Sequence, residues 1–371
     1  MRVLQVVSLV SPDGAFGGPA RVALNASAEL LRRGHDVTIA AATRGLPPGS
    51  STFDGVPVEL FPARQWLPTS KFYGMGASGM GRWLHANLAT YDVVHVHLAR
   101  DLVTLPAALS ARRHGVPYVV QTHGMVTPST HPAAAPLDAA WTRPVLRDAA
   151  AVCHLTRLER DQLSAVGGHR LRFVEVHNGV PAYDHPTIPQ DPPEVLFAAR
   201  LHGRKKPLAF VAMARMLEAS GSRARFTLLG PDGGQGSAVV AATVGCPSIT
   251  WEGAVDPELL PLRMAEAQVF VLPSVREPYP MVILEAMSVG LPVVISDDCG
   301  LADVVDRTGC GIVTDPSPPS LATAVGKLID DPVLAGDMGR RGRAVARSEF
   351  GMAVVGELLE NTYAAAIGDR S

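Results

Sequence analysis

Short β-branched runs recur along this chain with longer, helix-patterned stretches between them, and that alternation is its strongest constraint. Strands spaced this way pair in parallel, with crossover helices covering the sheet. The first half reads as strands at 3–10, 37–41, 93–96 and 118–121, then near 151–154 and 172–176. A helix over 19–33 follows the first strand: Pro19 begins it, Arg32 and Arg33 suit its negative end, and Gly34 closes it. The second half restarts the rhythm, with strands at 194–198, 226–229, 249–251, 269–272, 293–295 and 312–313.

At 371 residues and 47% hydrophobic content, two cores are expected. The stretch PAYDHPTIPQDPP, 181–193, has five prolines and no periodicity, a linker composition. The expected plan is an N-terminal Rossmann-like domain over 1–180 and a C-terminal one over 194–350. A last helix, 351–371, is able to pack back on the N-terminal domain. The fold class is α/β: two doubly wound parallel-sheet domains facing across a cleft, with the ligand at the strand ends.

A formal net charge of −2 gives no general attraction to nucleic acid or anionic lipid. Cys153, Cys246, Cys299 and Cys310 form no C-x-x-C pair and read as small buried hydrophobes in a reducing compartment. The start, MRVLQVVSLV, is strand-like and too short for a signal peptide, so a cytoplasmic location is expected.

The stretch REPYPMVILEAMSVGLPVVIS, 276–296, carries the chemistry. Pro278 and Pro280 keep Glu277 in a loop after the strand that ends at 272. Pro280 then suits the start of a short helix, 281–289, stopped by Gly290 and apolar on nearly every face apart from Glu285. A lone carboxylate in such a helix is costly unless something hydrogen-bonds to it. The free N–H groups near Met281 and Val282 form an anion site between the two acids. Glu285 lies about 7–8 Å along the axis from Pro280. Hydroxyls, phosphate, then hydroxyls again match a nucleoside-diphosphate sugar. The plainer alternative is that Glu277 favours a helix start and Glu285 faces solvent.

These residues resemble the E-x7-E signature of retaining glycosyltransferase family 4, here Glu277 to Glu285 followed by A-M-S-V-G-L-P-V-V. Other matches fall in the family's order: Gly17-Gly18, R-R-G-H-D-V at 32–37, D-V-V-H-V-H at 92–97, T-H-G at 122–124, N-G-V at 178–180 and A-R-L-H-G-R-K-K at 199–206. The resemblance implies a GT-B fold, a donor held mainly by the C-terminal domain, and neither metal nor cofactor. It implies that Glu277 meets donor-sugar hydroxyls, Glu285 the ribose, and that Arg200 and Lys205 neutralise the leaving diphosphate. A solvated basic turn, with Arg204 and Lys206 alongside, is the alternative for the two cations. Gly17 and Gly18 would let backbone approach the donor or acceptor, and His123 would lie near the reacting carbon. A tight turn and a core histidine are their plainer readings. Lys206-Pro207 and C-G-L-A-D at 299–303 depart from the family pattern, so donor base and sugar do not carry over.

Several features are decoys. GMGASG at 74–79 satisfies G-x-G-x-x-G but follows no clear strand. His95 and His97 share a strand face without a third ligand nearby in sequence, which favours a structural role. Asp297-Asp298 resembles a metal-binding acidic pair. Residues 60–91 hold Arg64, Lys71, Arg82, Trp66, Phe72, Tyr73 and Trp83 and no acid. Such a patch suits a lipid-linked hydroxyl acceptor or peripheral membrane contact; a loop and helix packed on the N-domain is the commoner explanation. The expected activity is sugar transfer from a nucleotide donor to a hydroxyl. A nucleotide-sugar epimerase and a non-catalytic nucleotide-sugar binder are the alternatives.

Overall fold

The structure is a computed structural model and describes residues 1–12, 18–66, 74–184 and 190–368. The chain divides into two compact units, Met1–Gly179 with Met352–Ser371, and Val180–Gly351.

In the first unit, β1 (Arg2–Val10), β2 (Asp36–Thr43), β3 (Gly49–Phe53), β4 (Val56–Gln65), β5 (Met75–Ala77), β6 (Val93–His97), β7 (Tyr118–Gln121), β8 (Ala151–His154) and β9 (Phe173–Glu175) form one sheet. Its order is β3-β4-β2-β1-β6-β7-β8-β9, with β5 on β4. All pairs are parallel except β3/β4 and β4/β5. Helix Gly18–Arg32 crosses from β1 to β2. Strands β3 to β5 escape the sequence reading, which took part of this stretch as loop. Val56, Val58 and Leu60 do alternate inward, but Pro57 and Pro62 mask the strand.

Helix Met352–Gly368 belongs to this first unit. It sets Val355, Leu359, Tyr363 and Ala366 against Val3, Val37, Val93, Val119 and Val176. Tyr363 is fully buried there, so its hydroxyl must be answered within the core.

The second unit has a six-stranded parallel sheet of β10 (Glu194–Ala198), β11 (Arg225–Leu229), β12 (Ile249–Gly253), β13 (Val269–Leu272), β14 (Val293–Ser296) and β15 (Gly311–Thr314). Its order is β12-β11-β10-β13-β14-β15. The chain runs outward from β10 to β12, then returns to the other side of β10 as β13. Adjacent loops after β10 and β13 therefore part to opposite faces, the switch point where open α/β sheets bind ligands. Among the described residues no helix is long and apolar enough to cross a membrane.

Candidate functional site

Two loops meet at the switch point of the second unit. The loop after β10 carries Arg200 and a short 3-10 turn, Gly203–Lys205. The loop after β13 carries Glu277 and leads into helix Met281–Val289. Lys205 Nζ donates to Glu277 Oε2 at 2.5 Å, and both side chains are mostly buried. Residues 72 positions apart thus form one ion pair.

The backbone around the pair is braced from several sides. Val275 N–H donates to the Arg204 carbonyl at 2.8 Å. The Arg204 guanidinium donates back to the Arg276 carbonyl. Arg276 is a non-glycine residue at φ 51°, and its N–H is taken by Asp298 Oδ2 at 2.9 Å. Such a conformation persists only where neighbours hold it. Gly300 N–H donates to the Glu277 carbonyl at 2.9 Å. A Cβ on Gly300 would lie 1.8 Å from the Pro278 carbonyl oxygen, so only glycine allows that approach.

Asp298, from the acidic pair, and the basic Arg204 therefore acquire a use that their sequence context did not suggest. Asp298 and Arg204 hold the turn that presents Glu277. Gly300, noted in the sequence only as part of a departure from the family pattern, is packed on that same turn. The signal was weak: these contacts join loops 72 and 22 residues apart.

Helix Met281–Val289 starts after Pro280, which is extended at φ −78°, ψ 107°, and no side chain caps it. Its first N–H groups, at Met281 and Val282, sit at the positive end of the helix. Ile283, Leu284, Ala286 and Met287 are buried, while Met281, Val282 and Glu285 are partly exposed. Glu285 thus lies on the more open face. Arg200 is exposed, and its stem passes over Gly233, where a Cβ would come within 2.7 Å of Arg200 Cγ. Asp232 accepts from the N–H groups of Gly234, Gln235 and Gly236 at 2.8–3.0 Å, and those bonds lower its pKa.

Within the first unit, described by itself, His123 lies at φ 50° in the loop after β7. Its Nε2 lies 2.7 Å from His97 Nδ1. Burial lowers its pKa to about 3, helped by the nearby His95. His95 and His97, read from sequence as a pair without a third partner, do have one, 26 residues beyond His97. Two ring nitrogens bonded to each other are not free to hold an ion, and no group of three metal-ligating side chains exists among the described residues. Gly18 opens the first helix; Gly17 lies outside the described residues, as do Lys71, Phe72 and Tyr73.

Glu159 was not singled out in the sequence. It is 3% exposed and accepts from Thr122 Oγ1 at 2.6 Å, Gly124 N at 2.7 Å and Leu155 N at 2.7 Å. The sequence signal was T-R-L-E, 156–159, the S/T-x-x-E helix start, and Thr156 does cap Glu159 N at 3.1 Å. Here the glutamate reaches past its own helix to both sides of His123.

The chain matches the Glycosyl transferase 4-like domain over residues 17–179 and the Glycosyl transferases group 1 domain over 184–345. It is 29% identical over 399 aligned positions to a GDP-mannose-dependent alpha-mannosyltransferase of Mycolicibacterium smegmatis, covering 100% of this chain and 99% of that one. To the alpha-D-kanosaminyltransferase of Streptomyces kanamyceticus it is 29% identical over 278 positions, 69% of this chain and 72% of the other. Its structure is similar to that of HepE from Anabaena in complex with UDP and glucose, with a TM-score of 0.75 at 18% identity over 98% and 99% of the two chains. The sucrose-phosphate synthase of Thermosynechococcus elongatus gives 0.76 at 18% identity over 99% of this chain and 99% of that one. Likeness at that level is one of fold, the two-domain GT-B arrangement.

Proposed function

Because the chain belongs to glycosyltransferase family 4, we propose that it is a retaining, metal-independent enzyme. It moves a sugar from a nucleoside-diphosphate sugar to a hydroxyl acceptor in glycoconjugate biosynthesis. The observation that carries this reading is the Lys205–Glu277 pair beside the uncapped start of helix Met281–Val289.

A donor diphosphate competes with Glu277 for Lys205. Once Lys205 turns to phosphate, the Glu277 oxygens are released to accept from sugar hydroxyls, and binding of one end of the donor prepares the other. Arg200, Lys205 and the N–H groups of Met281 and Val282 then face the diphosphate, and Glu285 accepts from the ribose. Phosphate charge grows as the bond from C1 to the phosphate oxygen breaks, so these fixed positive groups gain most in the transition state. The acceptor oxygen bonds to C1 from the same face, and the departing phosphate oxygen takes its proton. The cationic role of a divalent metal falls to Lys205, Arg200 and the helix start. The family resemblance is what supports giving His123 to the transferred sugar and Gly17 and Gly18 to donor or acceptor.

The acceptor is assigned as lipid-linked, with peripheral contact at the inner face of the membrane through residues 60–91. Exposed Arg64, Trp66 and Arg82 support this, whereas Trp83 packs on Phe61 at 5.8 Å and serves the core. Charge reversal at Arg64 and Arg82 is expected to weaken flotation with anionic liposomes; unchanged flotation removes the membrane contact. Glu277→Ala, Lys205→Ala and Glu285→Ala should each abolish or sharply reduce transfer across a panel of nucleotide sugars. Survival of transfer in all three would show the donor site to be misplaced.

A further inference from the structure

The ring of His123 is tied into a buried chain of polar groups that ends in the C-terminal helix. Gln5 directs its amide nitrogen to Tyr363 Oη at 3.3 Å, and its oxygen faces His97 Nε2 at 2.8 Å. An amide oxygen only accepts, so His97 carries its hydrogen on Nε2. Neutral His97 then has a lone pair on Nδ1, and the 2.7 Å contact with His123 Nε2 is an N–H donated by His123. The two ring planes lie within 2° of each other with centroids 5.0 Å apart. A 2.7 Å contact between stacked rings is sterically excluded, so the bond runs in the shared ring plane, where hydrogen and lone pair point.

The single hydrogen of neutral His123 is thereby committed to Nε2. The other nitrogen, Nδ1, is buried and meets no partner at hydrogen-bond geometry among the described residues. Asn178 lies close enough to favour a second proton on the ring, but burial and the neighbouring His95 outweigh it. Tyr363 Oη accepts from Gln5 and lies 2.7 Å from His95 Nδ1, which closes the far end of the chain.

The backbone of His123 is fixed separately. His123 and Gly124 are consecutive residues in the left-handed region, at φ 50° and 73°. The Glu159 carboxylate straddles them, taking the Thr122 hydroxyl on one side and the Gly124 N–H on the other. It is anchored by Leu155 N–H at its second oxygen.

We propose that Glu159, His97 and Gln5 are positioning residues for the transfer reaction. Glu159 sets the turn that carries His123, and the Gln5–His97 pair fixes its ring as the neutral Nε2–H tautomer. His123 then serves the site as a rigid, uncharged group and not as an acid or base. This rests on the reading that places His123 at the donor sugar.

Long-range proton–nitrogen NMR on the full-length, nitrogen-15-labelled protein tests it. The expected signature of His123 is a protonated Nε2 and a bare Nδ1, unchanged between about pH 6 and 8. Gln5→Met keeps the volume but removes the hydrogen-bond acceptor; it should give mixed tautomers and lower kcat about tenfold with donor KM within about twofold, the worth of one neutral hydrogen bond. Glu159→Gln should keep the tautomer and lower kcat by tenfold or more through misplacement of the turn. A hydrogen on Nδ1, a ring titrating near its ordinary pKa, or unchanged kcat in Gln5→Met with the tautomer lost would each overturn the proposal. Full transfer by His123→Ala, with the expected signature present in the native protein, would overturn the placement of His123 instead.

Discussion

Lowering the pH from 7.5 to 5 should loosen the first unit far more than surface chemistry alone would. His95 and His97 are each 1% exposed at the centre of its sheet. Burial lowers the pKa of His95 to about 3 and that of His97 well below its ordinary value, with His97 further opposed by charge on His95 and His123. For a histidine whose folded pKa lies below its unfolded one, the unfolded chain takes up the proton first. Stability is therefore complete above the unfolded pKa and is lost as pH falls from there towards the folded pKa. With an unfolded value near 6.5, each buried histidine costs about 2 kcal/mol of stability at pH 5, or about 4 kcal/mol for the two. That is a large part of the 5–15 kcal/mol that holds an ordinary domain together, so roughly this loss should be visible. His123 and His154, also lowered, act in the same direction.

Hydrogen exchange is the assay, because it reads one unit of a two-unit chain. Protection of peptides from β6 and β7, corrected for the intrinsic pH dependence of exchange, should fall by at least about a thousandfold between pH 7.5 and 5, the roughly 4 kcal/mol due to His95 and His97 alone. The double variant His95→Phe, His97→Gln should show most of that slope removed. Protection that stays level in the native chain, or an equal slope in the double variant, refutes the argument. So does direct observation of either ring titrating near 6.5 in the folded protein.

Two further outcomes follow from the second unit. Gly300→Ala puts a methyl group where the Pro278 carbonyl now sits 1.8 Å away, and the turn holding Glu277 must move. Donor KM should rise at least about tenfold, for a stability change of about 1–3 kcal/mol by denaturant titration; unchanged KM rejects the role given to the turn. Asp298→Ala removes the acceptor of the Arg276 N–H at an exposed position. Stability should change by less than about 1 kcal/mol while kcat/KM falls about tenfold, and equal kinetics would show that Arg276 holds its φ without help.

The parallel strands and the helix at 281–289 were legible because their signals are local. Val269–Leu272 and 293–295 are buried on both faces and read as unbroken apolar runs, and Gly290 ends the helix at φ 94° as a helix-closing glycine should. β4 was illegible for an equally local reason: its two prolines outvote an alternation of only three residues. Its place in the sheet is settled by pairing with β2 and β3, which no window of sequence contains.

The candidate site divides in the same way. Glu277 and Glu285 could be singled out because each is an unusual residue for its own surroundings, and Lys205 because A-R-L-H-G-R-K-K at 199–206 resembles the family's motif. That Lys205 and Glu277 face each other depends on β10 and β13 being neighbours at the switch point, a fact of strand order. The groups that hold the site were read as something else: Asp298 as a decoy that only resembles a metal ligand, Arg204 as part of a solvated basic turn, His97 as a structural histidine sharing a strand face with His95. Each is ordinary where it stands in the chain and acquires its function from a partner brought in by the fold. A side chain chosen to touch substrate leaves a mark at one position, whereas the side chains that hold it in place are written as pairs, and pairs are visible only after the chain has closed. For this reason a substitution at Gln5 or Glu159 is the sharper probe. Neither residue bears the family's signature, so an effect on transfer from either one reports the folded arrangement itself.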